Sequence, residues 1–140
     1  MRFMIIVKAT EDSEAGRFPP DPEPLFAAMA AYHEELARAG ALLDASGLHP
    51  SSKGWRVQYD GGKRSIVDGP FTESKELIAG YTLIQTRTRE EAMEWSRRFP
   101  NPIGERARCH VEVRQLYEME DFDGLVKQDT AQRFRAIGME

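Results

Sequence analysis

A chain of 140 residues, 41% hydrophobic and 30% charged, has the size and composition of one globular domain with its own core. Its 19 basic and 23 acidic groups leave a net charge of −4, without the basic excess that marks a nucleic-acid binder. The single cysteine, Cys109, excludes an intrachain disulfide and points to a reducing compartment.

The first element is the apolar run Phe3 to Val7, closed by Lys8. It is shorter than the roughly 7–15 residues of a secretion signal, and no small-residue cleavage site follows it. It reads as a central strand over residues 2–8, covered on both faces. No apolar run reaches the about 18 residues of a membrane span. The expected location is therefore the cytoplasm, with neither membrane nor nucleic acid as a partner.

Residues 10–24 carry Pro19, Pro20, Pro22 and Pro24 and read as a loop, because proline has no N–H for a ladder. A helix is expected from about Pro24 to Ala39. Leu25, Met29, Tyr32 and Leu36 form its buried stripe, Glu34, Glu35 and Arg38 its wet side, and Gly40 its stop. Ala41, Leu42 and Leu43 begin a short strand. A hairpin follows, in which Trp55, Val57 and Tyr59 alternate with Arg56 and Gln58 and the chain turns at Asp60-Gly61-Gly62.

Residues 69–76 are irregular, and 77–85 form an apolar strand containing Gly80. Thr88 and Glu91 have capping-box spacing and open a helix to about Phe99 that buries Ala92, Trp95 and Phe99. The last strand is expected over 107–117. An acidic stretch (Glu118, Glu120, Asp121, Asp123) and a short helix near 125–135 come after it. Without the hairpin the order is β-α-β-β-α-β. That is an α+β, ferredoxin-like, split β-α-β fold with an inserted β-hairpin, occupying residues 1–117 before a C-terminal extension over 118–140.

Two helices cover only one face of such a sheet. Strand 77–85 is apolar on both faces, so the second face also needs a cover, and a second copy related by a two-fold axis supplies it most simply. The expected partner is thus the chain itself, as a homodimer enclosing a cavity lined by polar groups of the edge strands. On the last strand Arg108, His110, Glu112 and Arg114 share a face, which reads either as part of that lining or as a solvated surface of charge pairs. Cys109 falls on the opposite, helix-covered face and is expected to be buried and inert. Trp55 and Trp95 are expected in the core or at an interface.

The tetrapeptide Asp68-Gly69-Pro70-Phe71, followed by Glu73, Lys75, Glu76, Gly80 and Tyr81, carries a resemblance. It is joined in order by Phe3-Met4, Glu34-Glu35-Leu36, Ala39-Gly40, Gly47-Leu48, Pro50 and Glu112-Val113-Arg114. Over about residues 1–117 the series resembles the YCII-related family in its DGPF-containing subgroup. The resemblance implies a ferredoxin-like fold that pairs into a dimeric α/β barrel. For some members it implies a small lyase or isomerase with a working histidine and aspartate. For some DGPF-type members it implies a link to an extracytoplasmic-function sigma factor.

Asp68 is accordingly the candidate general base, or the partner of a histidine, with His49 and His33 as the candidate histidines. Phe71, Thr72, Ser74, Lys75 and Tyr81, with His110 and Arg114, are candidate contacts to an unidentified small molecule. The plainer reading makes the motif a fold-defining turn: Asp68 accepts local backbone N–H groups, Phe71 anchors in the core, and His33 is a structural helix histidine. Gly80 is expected to leave room for a ligand or for Phe71. No metal or cofactor is expected, since no Cys/His cluster or i, i+4 histidine pair is present. Two functions result. One is a small-molecule binder or lyase/isomerase-type enzyme using a dimer cavity. The other is a regulatory module that makes its contact through residues 118–135.

Overall fold

In a computed structural model, which describes residues 1–139 and of Ser74 only the backbone, β1 (Arg2–Lys8) lies inside a four-stranded sheet. It pairs antiparallel with β5 (Ile78–Gln85) on one side and β6 (Val111–Gln115) on the other. The edge strand β2 (Leu42–Gly47) pairs antiparallel with β5, giving the order β2-β5-β1-β6. This antiparallel α+β arrangement is consistent with a ferredoxin-like fold. The hairpin strands β3 (Trp55–Asp60) and β4 (Lys63–Asp68) pair only with each other.

One face of the sheet is closed by α2 (Glu23–Arg38) and α3 (Arg89–Arg97). Phe3 and Ile5 of β1 and Ile84 of β5 form the core with Tyr32 and Leu36 of α2, Ala41, and Ala92 of α3. Leu42, Trp95, Phe99, Val111 and Val113 pack around them. Ile5, Leu36 and Ile84 are completely buried, each contributing about 1.5–3 kcal/mol by leaving water. The stripe Leu25, Met29, Tyr32, Leu36 thus faces inward as its spacing predicts, with Glu34, Glu35 and Arg38 exposed.

Several expectations need correction. Residues 10–24 are not all loop: α1 (Glu11–Glu14) forms because Thr10 and Ser13 cap one another reciprocally. Glu91 donates its backbone N–H to the Thr88 hydroxyl, but its carboxylate accepts from the N–H of Arg87, so only half of the expected capping box closes. The last strand begins at Val111, four residues later than expected, so Arg108, Cys109 and His110 lie outside its alternation. Cys109 is exposed rather than buried, and its thiol donates to Asn101 Oδ1 at 3.0 Å. Trp95 packs against the core, whereas Trp55 is 62% exposed.

The chain beyond β6 is tied back at its start. The carboxylate of Glu118 accepts from Arg2 Nε at 2.9 Å and Nη2 at 3.0 Å, a contact that holds the Glu118 carboxyl below its ordinary range. A short 3-10 turn (Met119–Phe122) and α4 (Gln128–Ala136) follow. No helix among the described residues is long and apolar enough to cross a membrane.

Candidate functional site

Strand side chains alternate, so the residues between those of the core point away from the helices. On this outer face Met4 of β1 stands opposite Leu83 of β5 and Arg114 of β6, and Leu83 stands opposite Asp44 of β2. In the neighbouring row Ile6 stands opposite Tyr81 and Glu112, and Tyr81 opposite Ser46. The outer face is therefore an apolar floor of Met4, Ile6 and Leu83. Its walls are polar: Asp44, Ser46 and Tyr81 on one side, Glu112 and Arg114 on the other.

Both walls are organised. The Tyr81 phenol donates to Asp44 Oδ2 at 2.8 Å, and the backbone N–H of Ala45 donates to Asp44 Oδ1 at 2.9 Å. The bond to the Asp44 carboxylate raises the Tyr81 pKa above its ordinary value, so the phenol stays protonated. Arg114 Nη1 meets Glu112 Oε2 at 3.3 Å, an exposed contact within one strand. Gly80 serves β2 rather than a ligand or Phe71. A Cβ there would come within 2.9 Å of the Ser46 carbonyl oxygen and 3.3 Å of Gly47 Cα, so side-chain-free backbone is what lets this edge strand approach.

The Asp68 to Phe71 turn closes the base of the hairpin. Gly69 donates its N–H to the Gly54 carbonyl at 3.0 Å, and Phe71 donates its own to Ser51 Oγ at 2.9 Å. Ser51 in turn donates its backbone N–H, at 3.0 Å, and its hydroxyl to the two carboxylate oxygens of Glu14. A Cβ on Gly69 would lie 1.9 Å from the Ser51 carbonyl oxygen, so position 69 must be glycine for reasons of space. Phe71 is not a core anchor. It is half-buried, with the Arg56 guanidinium 3.8 Å from its ring centre. Asp68 is exposed and accepts no local backbone N–H among the described residues, so the expected Asx turn is absent.

The candidate residues therefore fall into separate places. Asp68 and Phe71 lie at the base of the hairpin, and His49 is an exposed residue two positions before Ser51 in the loop that leads to it. Thr72 and Lys75 follow on the same exposed segment, and the side chain of Ser74 lies outside the described residues. Tyr81 and Arg114 belong to the outer face of the sheet, and His110 is an exposed residue just before β6.

His33 sits on the other side of the sheet from Tyr81. Its Nδ1 lies 2.7 Å from the Met29 carbonyl oxygen and must carry the proton there, since a carbonyl only accepts. In the neutral ring Nε2 then accepts from the hydroxyl of Thr82, 2.8 Å away and only 2% exposed. With both nitrogens engaged and its ring edge-on to Tyr32 and Phe99, His33 pins α2 to β5. Among the described residues no hydrogen bond joins Asp68 to a histidine. No cluster of His, Cys, Asp or Glu there is arranged to hold a metal ion.

Sequence reasoning missed Asp44. The only available signal was a carboxylate inside an otherwise apolar stretch, Ala41 to Ala45, beginning a short strand.

These features define a small α+β protein with one sheet face packed under helices and the other carrying two polar walls. The chain belongs to the family of the YCII-related domain, whose model matches residues 1–120. It is similar to an uncharacterised protein of Rhizobium meliloti, 27% identical over 90 residues, or 64% of this chain and 73% of the relative. Among solved structures it overlaps with 5-chloro-2-hydroxyhydroquinone dehydrochlorinase (TftG) from Burkholderia phenoliruptrix in complex with 2,5-dihydroxybenzoquinone. The TM-score is 0.43 and the identity 14%, covering 84% of this chain and 95% of that one. A likeness so distant carries no argument about chemistry.

Proposed function

We propose that two copies of the chain pair through their outer sheet faces and enclose a small-molecule chamber that supports lyase- or isomerase-type proton transfer. The observation that carries this reading is the apolar floor of Met4, Ile6 and Leu83, left uncovered by either helix and bounded by ordered polar walls. A sheet face of this kind is stable in water when a second layer covers it. The self-complementary layer nearest to hand is the same face of another copy, which makes a closed two-fold contact. The Asp68-Gly69-Pro70-Phe71 turn supports a place among the DGPF-containing members of the family.

Within the chamber, Asp44 is the carboxylate already oriented by a backbone N–H and a phenol, with lone pairs left to accept a hydrogen bond from a ligand. In this reading Asp68 and His49 are the candidate groups for the mouth of the chamber. Oxidative footprinting of the intact chain tests the reading. Met4 on the outer face should label at least about tenfold more slowly than Met93 on the exposed side of α3. Equal labelling of the two methionines would leave the outer face open to water and remove the chamber.

The C-terminal extension favours a second reading through a different observation. Leu125 and Ile137 are 80% and 73% exposed on this acidic segment, a surface suited to a protein contact such as an extracytoplasmic-function sigma factor. Truncation before Gly124 should abolish capture of such a partner while leaving Met4 protected. Capture that survives the truncation rules out the extension as the contact.

A further inference from the structure

The β3–β4 hairpin has two unlike faces. Residues directly opposed in an antiparallel pair share a face. One face carries Trp55 with Asp68, Val57 with Ile66, and Tyr59 with Arg64. The other carries Arg56 with Val67, Gln58 with Ser65, and Asp60 with Lys63. Such alternation suits a ribbon with one wet face and one covered face, yet Trp55, Val57, Tyr59 and Ile66 all stay exposed.

The charges on the apolar face are set end to end. Along β4 it reads Arg64, Ile66, Asp68: a cation, an apolar centre and an anion, with the two charges four residues, or about 13 Å, apart. Along β3 it reads Trp55, Val57, Tyr59, an aromatic at each end of a small apolar centre. The Arg64 guanidinium lies 4.8 Å from the Tyr59 ring centre. Neither the Arg64 nor the Asp68 side chain makes a hydrogen bond or an ion pair among the described residues. The pattern is complementary to itself. A two-fold axis across the strands, through the Val57–Ile66 pair, lays Val57 on Val57 and Ile66 on Ile66. It also lays Trp55 on Tyr59 and Arg64 on Asp68, at both ends. An axis along the strands would leave Asp68 facing Trp55, with no charge paired.

We infer that the hairpin is an arm that packs face to face on the hairpin of a second copy, antiparallel, with Arg64 of each chain on Asp68 of the other. The contact gives Asp68 the partner that its own chain does not provide. The face measures about 20 Å by 10 Å, well short of the about 800 Å² that each partner gives to a standard interface. The arms therefore add to a larger contact. The inference rests on the paired-sheet reading, in which the outer faces of the same two copies supply the remaining area.

The test is sedimentation equilibrium of the full chain and three variants, joined to cysteine cross-linking. Asp68→Arg and Arg64→Asp should each weaken the dimer at least about tenfold, because each turns two exposed attractions into two repulsions. The double variant restores both pairs with the charges exchanged and should return to within about threefold of wild type. In a Cys109→Ser background, Val57→Cys should be joined to its own copy by a short bis-maleimide. Gln58→Cys, one residue on and on the opposite face, should not be. All these positions are exposed, so each variant should keep the wild-type circular dichroism. Losses in the single variants that the double variant does not recover overturn the arm contact, because some other surface then meets the hairpin. Equal cross-linking at positions 57 and 58, or a dimer indifferent to all three charge variants, also overturns it. Each of these results leaves the paired sheets standing. A wild-type chain that stays single at every concentration overturns both.

Discussion

The four-stranded sheet and the β3–β4 hairpin are both antiparallel and both carry large apolar side chains, yet they end in opposite states. The sheet buries Phe3, Ile5 and Ile84 under two helices, whereas in the hairpin Trp55, Tyr59 and Ile66 are 62%, 67% and 69% exposed. Trp55, Val57, Tyr59 and Ile66 share one hairpin face by register, and all four stay exposed among the described residues. A two-stranded ribbon alone is marginal in water. The hairpin is held at its base instead, where the Gly69–Gly54 bond and the Glu14–Ser51–Phe71 relay tie it to the loop before β3. Antiparallel strands with large apolar side chains thus yield a structural layer or an appendage, depending on whether helices arrive to cover them.

The largest effect that separates the two regions is expected from Leu36→Ala. It empties a completely buried site under the sheet and should cost about 3–4 kcal/mol in denaturant unfolding, lowering every probe of the fold together. Gly69→Ala should act on the other side. With its Cβ 1.9 Å from the Ser51 carbonyl it must open the hairpin base, costing about 2–3 kcal/mol. Native-state hydrogen exchange would separate them: Gly69→Ala should accelerate β3 and β4 amides far more than β1 and β5 amides. Uniform acceleration in that variant would show the hairpin and sheet to be one cooperative unit.

Alkaline titration probes the core alone. Burial pushes the Tyr32 phenol, which donates to the Trp95 carbonyl at 2.7 Å, up to about 12 from an ordinary value near 10. The unfolded chain loses this proton first, so the stability is complete below about pH 10 and falls as pH rises toward about 12. The loss should be about 2–3 kcal/mol. Tyr32→Phe should flatten that slope in a pH series of unfolding curves. Asp68→Asn is the smallest change expected, within about 0.5 kcal/mol, since the side chain is exposed and accepts no hydrogen bond among the described residues. A large loss of stability there would restore Asp68 as a structural turn residue.

Much of the framework was legible in the sequence. The inward stripe of α2, the Thr88 cap, the hairpin turn at Asp60-Gly61-Gly62 and the strand pattern all follow from periodicity and capping chemistry. The late start of β6 was not legible, because Ala107 to Val113 alternates like a strand while Asn101 holds Ala107 and Cys109 in a loop through its side chain. The roles of Gly69 and Gly80 were hidden for a related reason. Both answer to backbone that arrives from elsewhere in the chain, which no local pattern records. The candidate site was read least well. Tyr81 and Arg114 were found on the outer face, but Asp44 was not, because its partnership with Tyr81 depends on β2 lying beside β5. His33 was singled out as a chemical residue, yet the structure commits both its nitrogens to Met29 and Thr82.

Sedimentation equilibrium of the wild-type chain across a wide concentration range tests the proposed pairing of outer faces most directly. Pairing through Met4, Ile6, Tyr81 and Leu83 predicts a species of twice the 15.9 kDa chain mass that Leu83→Lys converts to single chains without unfolding them. A wild-type protein that stays at 15.9 kDa at every concentration would contradict it.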